Sequence, residues 1–191
     1  VVPESIGEAA ILFDFGDFYL AFKSDGVGTK NLVADQMAYS KGYQWSFYGR
    51  IARDLVAMNV NDLLCVGARP IALLDYLAIE APHPQLLEEI GRGLHEGARQ
   101  AGISIPGGEL AQVREMIRGE RQGFAFDLVG MAVGLVPLDK VLVGRDLSEG
   151  DVLIGLASSG IHSNGLTLAR RVLFEELGLG VGDTPLELEG R

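Results

Sequence analysis

Hydrophobic and polar residues alternate with several different periods along the chain, and each change of period marks an element. Ala9–Phe13 and Tyr19–Lys23 are short apolar runs joined by Asp14, Phe15, Gly16 and Asp17, turn chemistry that predicts a β-hairpin. After a glycine-rich turn at Asp25–Thr29, the pattern predicts a short helix over Leu32–Lys41. A longer helix follows over Arg50–Val66, with Ile51, Leu55, Met58 and Val66 near helical spacing. Pro70 resets the chain, and Ile71–Ile79 is rich in strand formers. Pro84 then opens an amphipathic helix carrying Leu86, Leu87, Ile90, Leu94 and Ala98, which Gly102 closes. Gly107-Gly108-Glu109 is expected at the end of a short strand, and Phe124–Val136 predicts a long one. Asp139–Gly150 is polar and lacks a strong apolar period, so a domain boundary is placed there, with an N-terminal unit over 1–138 and the beginning of a second over 139–191. In the second part, Asp151–Ala157 predicts a strand, a Gly/Ser/Asn turn follows, and Leu166–Leu177 predicts a helix. Gly178–Arg191 is glycine-rich and acidic and closes no unit.

Composition narrows the function classes. With 191 residues, 48% hydrophobic and 22% charged, the chain can bury a core and is not of the disordered type. Its 16 basic and 26 acidic residues leave a net charge of −10, which argues against nucleic-acid binding because phosphate would be repelled and no basic face is visible. No run of about 18 apolar residues predicts a membrane span. Cys65, the single cysteine, lies in the apolar stretch Leu63–Val66 and is expected to be a buried thiol in a cytoplasmic protein. The first residues, Val-Val-Pro-Glu-Ser, lack a basic segment leading into an apolar one and so do not resemble a signal peptide. Without an initiator Met, and with an unclosed end, the chain is expected to be a fragment.

The densest chemical signal is Ser24-Asp25-Gly26-Val27-Gly28-Thr29-Lys30. Glycines let backbone N–H groups approach an anion, a helix start adds favourable potential, and Asp25 could hold a cation that bridges phosphates. An ordinary turn is the alternative. Neither a Walker A loop nor a complete GxGxxG occurs. Asn61 and Asp62 interrupt an apolar stretch, so Asp62 needs a partner, either a metal ion or a salt bridge to Arg53 or Arg69. Glu109 follows two glycines and is either a third cation ligand or an exposed acid at a turn. Asp25, Asp62 and Glu109 together would suit Mg²⁺, which takes oxygen ligands and bridges carboxylates to phosphates. Ser158-Ser159-Gly160-Ile161-His162-Ser163-Asn164-Gly165 offers hydroxyls, amides and an imidazole between a strand and a helix, but it is not a nucleophile elbow. His83 and His95 are read as structural or solvent-facing, and zinc motifs are absent.

Taken in order, SDGVGTK (24–30), DLVAMNVNDLL (54–64), GARPIALLDY (67–76), GGE (107–109), DLVGMAVG (127–134) and GDVLIGLASSGIHSNG (150–165) resemble the phosphoribosylformylglycinamidine cyclo-ligase family, the aminoimidazole ribonucleotide synthetases of purine biosynthesis. Thiamin-monophosphate kinase, selenophosphate synthetase, a hydrogenase maturation factor and an amidotransferase belong to the same ATP-using superfamily. The resemblance implies an α/β (α+β) fold, in which an N-terminal mixed-sheet domain pairs across a homodimer into a β-barrel and a second α/β domain begins. It implies ATP, Mg²⁺ and formylglycinamidine ribonucleotide as ligands, and no nucleic-acid or membrane partner. By analogy, ATP phosphorylates the formyl amide oxygen, an amidine nitrogen attacks that carbon, phosphate leaves and the imidazole closes. Carried over by position, Asp25, Asp62 and Glu109 are metal ligands, and Gly26, Gly28, Thr29, Lys30 and Asn61 lie at the nucleotide. Ser159, Gly160, Ser163 and Asn164 line the same pocket, with His162 and Asp62 as catalytic residues. Two departures from the family pattern stand out: Leu110 follows Glu109 where threonine is usual, and Tyr43–Arg50 is longer and more aromatic. The family's N-terminal lysine-bearing segment and full second domain are not in these residues, which alone are expected to be weakly active or inactive. The rival readings are another ATP-dependent kinase or synthetase of the superfamily, and a non-catalytic dimerisation module.

Overall fold

The computed structural model describes residues 1–42, 44–158 and 160–183. Its elements are β1 (Ile11–Asp14), β2 (Phe18–Gly26), α1 (Lys30–Ser40), α2 (Ser46–Cys65), β3 (Arg69–Ile79), α3 (Pro84–Ala101), β4 (Ser104–Gln112), β5 (Phe126–Pro137) and α4 (Leu166–Arg170). The last continues into a wider helical turn over Arg171–Glu176. The five strands form one mixed sheet in the order β1-β2-β5-β3-β4, with β1 and β4 as its open edges. Antiparallel pairing joins β1 to β2, β2 to β5 and β5 to β3, whereas β3 and β4 run parallel and are connected through α3. A parallel neighbour requires such a crossover because a tight turn reverses the chain. The α/β expectation therefore holds, in the form of an open sheet.

All three long helices lie on one face of the sheet. Along β5, Phe126, Leu128, Ala132 and Val136 are buried and alternate with the exposed Asp127 and Met131, the period-two pattern of a strand covered on one side. Leu12, Ala21, Leu73 and Leu77 continue that buried surface and meet Leu55, Val56 and Leu63 of α2 and Leu86 and Ile90 of α3. Each of these Leu, Ile and Val side chains contributes about 1.5–3 kcal/mol on burial. Close approach of α2 and α3 depends on glycine, since a Cβ on Gly93 would stand 2.0 Å from the Gly49 carbonyl oxygen. The opposite face carries exposed Phe13, Leu74, Tyr76 and Met131 with no second layer over it among the described residues.

Four expectations are corrected. Helix α2 begins at Ser46, one turn before Arg50. Gly107-Gly108-Glu109 lies inside β4 and does not end it. Residues 151–157 form no strand; Val152 and Ile154 are 84% and 85% exposed, because an apolar run becomes a strand only where a neighbour completes its ladder. Cys65 is exposed, since successive helical positions turn by about 100° and the inward side is taken by Leu63 and Val66.

Candidate functional site

The inward positions of β2 read Tyr19, Ala21, Lys23, Asp25, so the strand's buried side changes from apolar to charged as it leaves the core. Asp62 of α2 meets that end of the strand. Lys23 Nζ lies 2.6 Å from Asp62 Oδ2 and 3.8 Å from Asp25 Oδ2, and this ammonium is the partner of Asp62, in place of Arg53 or Arg69. Its pKa is raised, first by the hydrogen bond to Asp62, against the opposing effect of burial. Asp25 is oriented by the Gly26 N–H, which donates to its Oδ1 at 2.8 Å. Fully buried Asn59, one turn before Asp62, donates from Nδ2 to the Leu55 carbonyl at 3.0 Å and to the Asp25 carbonyl at 3.4 Å. Strand end and helix are thereby tied together, and two of the three predicted carboxylates converge on one cation.

The turn after Asp25 is narrow. Gly26 passes β5 so closely that a Cβ would lie 3.1 Å from Val129 Cγ2, and Gly28 adopts φ +57°, which favours glycine. Val27 is buried, and its N–H donates to the Leu128 carbonyl, extending the ladder by one bond. Lys30, at the first turn of α1, bonds Asp54 of α2 with its side chain 12% exposed. Thr29 Oγ1 shares a 3.2 Å hydrogen bond with Thr167 Oγ1 of α4. A cavity of 420 Å³ opens beside this turn, walled by Gly28, Thr29 and Asn31 on one side and by Arg118, Glu120 and Asp127 on the other.

Glu109 does not join Asp25 and Asp62. The register places Asp25, Gly130, Asp75 and Gly108 in one row across β2, β5, β3 and β4, so Glu109, one residue on, points to the opposite face. Three strand spacings, roughly 14 Å, also separate the two strands. The glycine before it has a different use: a Cβ on Gly108 would stand 2.4 Å from Asp75 Oδ1. Asp75 lies in a 330 Å³ groove with Leu77, Leu87, Ile90, Leu94 and Leu110, and burial raises its pKa. Among the described residues no group of three or more His, Cys, Asp or Glu side chains could hold a metal ion.

Ser159 lies outside the described residues. His162 is exposed and bonds Ser158 Oγ through Nε2 at 2.9 Å, within its own loop, where the Gly160 N–H also donates to Ser158 Oγ. Ser163 is half-buried and Asn164 exposed. Helix α4, which follows this loop, is tied to the β2–α1 turn by the Thr29–Thr167 bond and to the segment between β4 and β5 by an Arg170–Glu120 ion pair at 2.8 Å. Asn61 is exposed and faces a separate groove with Arg53, Leu64 and Pro70. Sequence reading missed Lys23, Asp54, Asn59 and Asp75. For Lys23 the signal was available, as a charge at an inward position of an amphipathic strand; the others required the strand register and helix packing.

The family described as AIR synthase related protein, N-terminal domain, matches residues 7–136. A phosphoribosylformylglycinamidine cyclo-ligase from Thermococcus kodakarensis is 52% identical over 176 residues, covering 92% of this chain and 48% of that protein. One from Pyrococcus furiosus is 49% identical over 177 residues, covering 93% and 49%. The chain spans about half the length of the curated relatives it matches. Among solved structures, T. maritima PurL complexed with ADP has a similar fold, with a TM-score of 0.51 at 19% identity over 70% of this chain and 19% of that one.

Proposed function

The chain belongs to the AIR synthase related family as its N-terminal domain, and from that premise we propose that it forms the nucleotide-binding half of an ATP-dependent cyclo-ligase that closes formylglycinamidine ribonucleotide to aminoimidazole ribonucleotide in purine biosynthesis. The observation that carries this reading is the convergence of Asp25 and Asp62 on one ammonium beside a glycine turn that opens into α1. A cation already sits between the two carboxylates, and one or two carboxylates plus substrate phosphates are what Mg²⁺ uses, so the donor set fits that ion. Asp25 and Asp62 would hold it, and when bound it supplies neutralisation of phosphate charge.

The remaining work falls to this chain's own groups. Backbone N–H groups at Gly28 and Thr29, together with the Thr29 hydroxyl, sit where a helix start favours an anion. The Asp54 carboxylate holds Lys30 near the same helix start, placing a second positive charge beside the phosphates. Phosphoryl transfer to the formyl amide oxygen needs positioning and charge neutralisation more than covalent catalysis. Transfer turns that oxygen into a leaving group; the amidine nitrogen then attacks, phosphate departs and the ring closes. In this reading His162, Ser163 and Asn164 complete the pocket from the loop that precedes α4. Glu109 has no place in the cation site of one chain.

The exposed apolar sheet face supports a homodimer in which two sheets close into a barrel, since a surface of this kind is seldom left to water. No described helix is long and apolar enough to cross a membrane, and a cytoplasmic location accompanies the metabolic role. Thermal melting tests the site: Mg²⁺ and ATP together, at about 100 times Kd, should stabilise by about 2.7 kcal/mol. Neither should act comparably alone, and Asp62→Asn should abolish the shift. Turnover of formylglycinamidine ribonucleotide by the full-length protein tests the substrate, and ATP use only with thiamin monophosphate or selenide would reject it.

A further inference from the structure

Lys23 stands where β2 calls for an apolar residue, in line with Tyr19 and Ala21 on the helix-facing side of the sheet. Its side chain is only 22% exposed, and its ammonium lies between carboxylates from two different elements, Asp25 of the same strand and Asp62 of α2. Resting on the reading of those carboxylates as the metal-nucleotide ligands, we propose that Lys23 is a built-in counter-ion that occupies the cation position until a divalent ion arrives together with nucleotide.

The physical case is one of competition for the same oxygens. Two partly buried carboxylates at the end of a strand repel each other, and in a chain of net charge −10 an unguarded pair would collect stray divalent cations. One ammonium offsets one of the two charges and forms a charge-assisted bond at 2.6 Å that an incoming metal must break. A metal alone offers Lys23 no new partner, so its entry leaves a half-buried ammonium uncompensated. Metal with nucleotide is different, because phosphate oxygens give the ammonium somewhere to go, and a lysine on a flexible four-carbon stem can swing to them. Lys30 is not free to substitute, since Asp54 already holds it. Lys23 therefore acts through the carboxylates as a positioning residue and makes metal binding conditional on nucleotide.

Mn²⁺ alone serves as the probe, titrated by electron paramagnetic resonance against wild type, Lys23→Met, Lys23→Arg, Asp62→Asn and the Lys23→Met/Asp62→Asn double variant. A second series adds a non-hydrolysable ATP analogue, and melting curves report folding. Lys23→Met keeps the aliphatic stem; Lys23→Gln replaces it if the first does not fold. Removing the ammonium should tighten Mn²⁺ binding about tenfold without nucleotide, and the gain in Mn²⁺ affinity caused by the analogue should shrink by a similar factor. Lys23→Arg, which keeps the charge, should behave as wild type. If Mn²⁺ affinity is unchanged or weaker without the ammonium while Asp62→Asn still reduces it, the counter-ion proposal is overturned and the carboxylate reading stands. Mn²⁺ binding indifferent to Asp62→Asn in both backgrounds would overturn the carboxylate reading and the proposal with it.

Discussion

Gly130 and Asp75 show how much a single position can carry. Gly130 lies between Asp25 and Asp75 in the transverse row, beneath Asn59; a Cβ there would stand 2.8 Å from Asn59 Nδ2 and 3.3 Å from Leu55 Cγ and Leu73 Cδ1. The space is filled from above by a side chain that secures Asp25 to α2. Gly130→Ala should therefore cost roughly 1–3 kcal/mol in urea unfolding. It should also weaken nucleotide binding, because Asn59 would be displaced from the Asp25 carbonyl. Asp75 yields a pH prediction. Burial raises its pKa, so the fold prefers the neutral carboxyl; the stability it contributes is present in acid and is lost as pH rises through the raised folded value. Asp75→Asn should raise the melting temperature at about pH 7 and leave it unchanged near pH 3. An equal change at both values would mean that packing, not ionisation, sets the effect.

At the scale of elements, the segment between β4 and β5 is held as a strap. Arg121 forms an ion pair with Asp35 of α1 and donates from Nη2 to the Tyr48 hydroxyl of α2 at 3.0 Å, while Tyr48 itself donates to Asp35 Oδ1 at 2.6 Å. The guanidinium also lies 3.8 Å from the Phe124 ring centre, whose ring stacks on His83. Asp35 is 7% exposed, so removing its partner leaves a buried charge. Arg121→Met should cost about 3–5 kcal/mol and speed amide exchange across residues 113–125, the wall of the cavity beside Thr29. Tyr48→Phe removes a hydroxyl that donates to Asp35 and accepts from Arg121, and should cost at least about 1.5–3 kcal/mol. The proline-opened helix α3 and the hairpin of β1 and β2 were legible in the sequence, because their start and stop signals are local. Three residues separated by 86 positions at the widest, Asp35, Tyr48 and Arg121, carry no local sign that they belong together.

For the molecule as a whole, the consequential feature is a sheet that the described residues cover on one side only. Leu74 and Met131 face each other across β3 and β5 on the uncovered side, 40% and 39% exposed. If two such faces close on each other as proposed, Leu74→Lys with Met131→Lys should convert a dimer to a monomer in light scattering. The melting temperature of the remaining fold should stay within a few degrees, since neither residue touches the helix-side core. A dimer that persists would place the interface elsewhere.

Local chemistry settled the kinds of element from the β1–β2 hairpin to β5, the glycine turn at Asp25–Thr29 and the candidacy of Asp25 and Asp62, because periodicity, turn residues and a carboxylate in an apolar stretch are all visible within a few residues. Only the tertiary structure decided which charges meet. Strand register placed Glu109 on the face opposite Asp25 and put Asp75 in the same row as Asp25. Helix packing brought Asp62 to Lys23 and Lys30 to Asp54. The apolar run at 151–157 remained without a ladder. A strand's neighbours, and a charge's counter-charge, are set by contacts between residues far apart in the chain, and no local pattern specifies them.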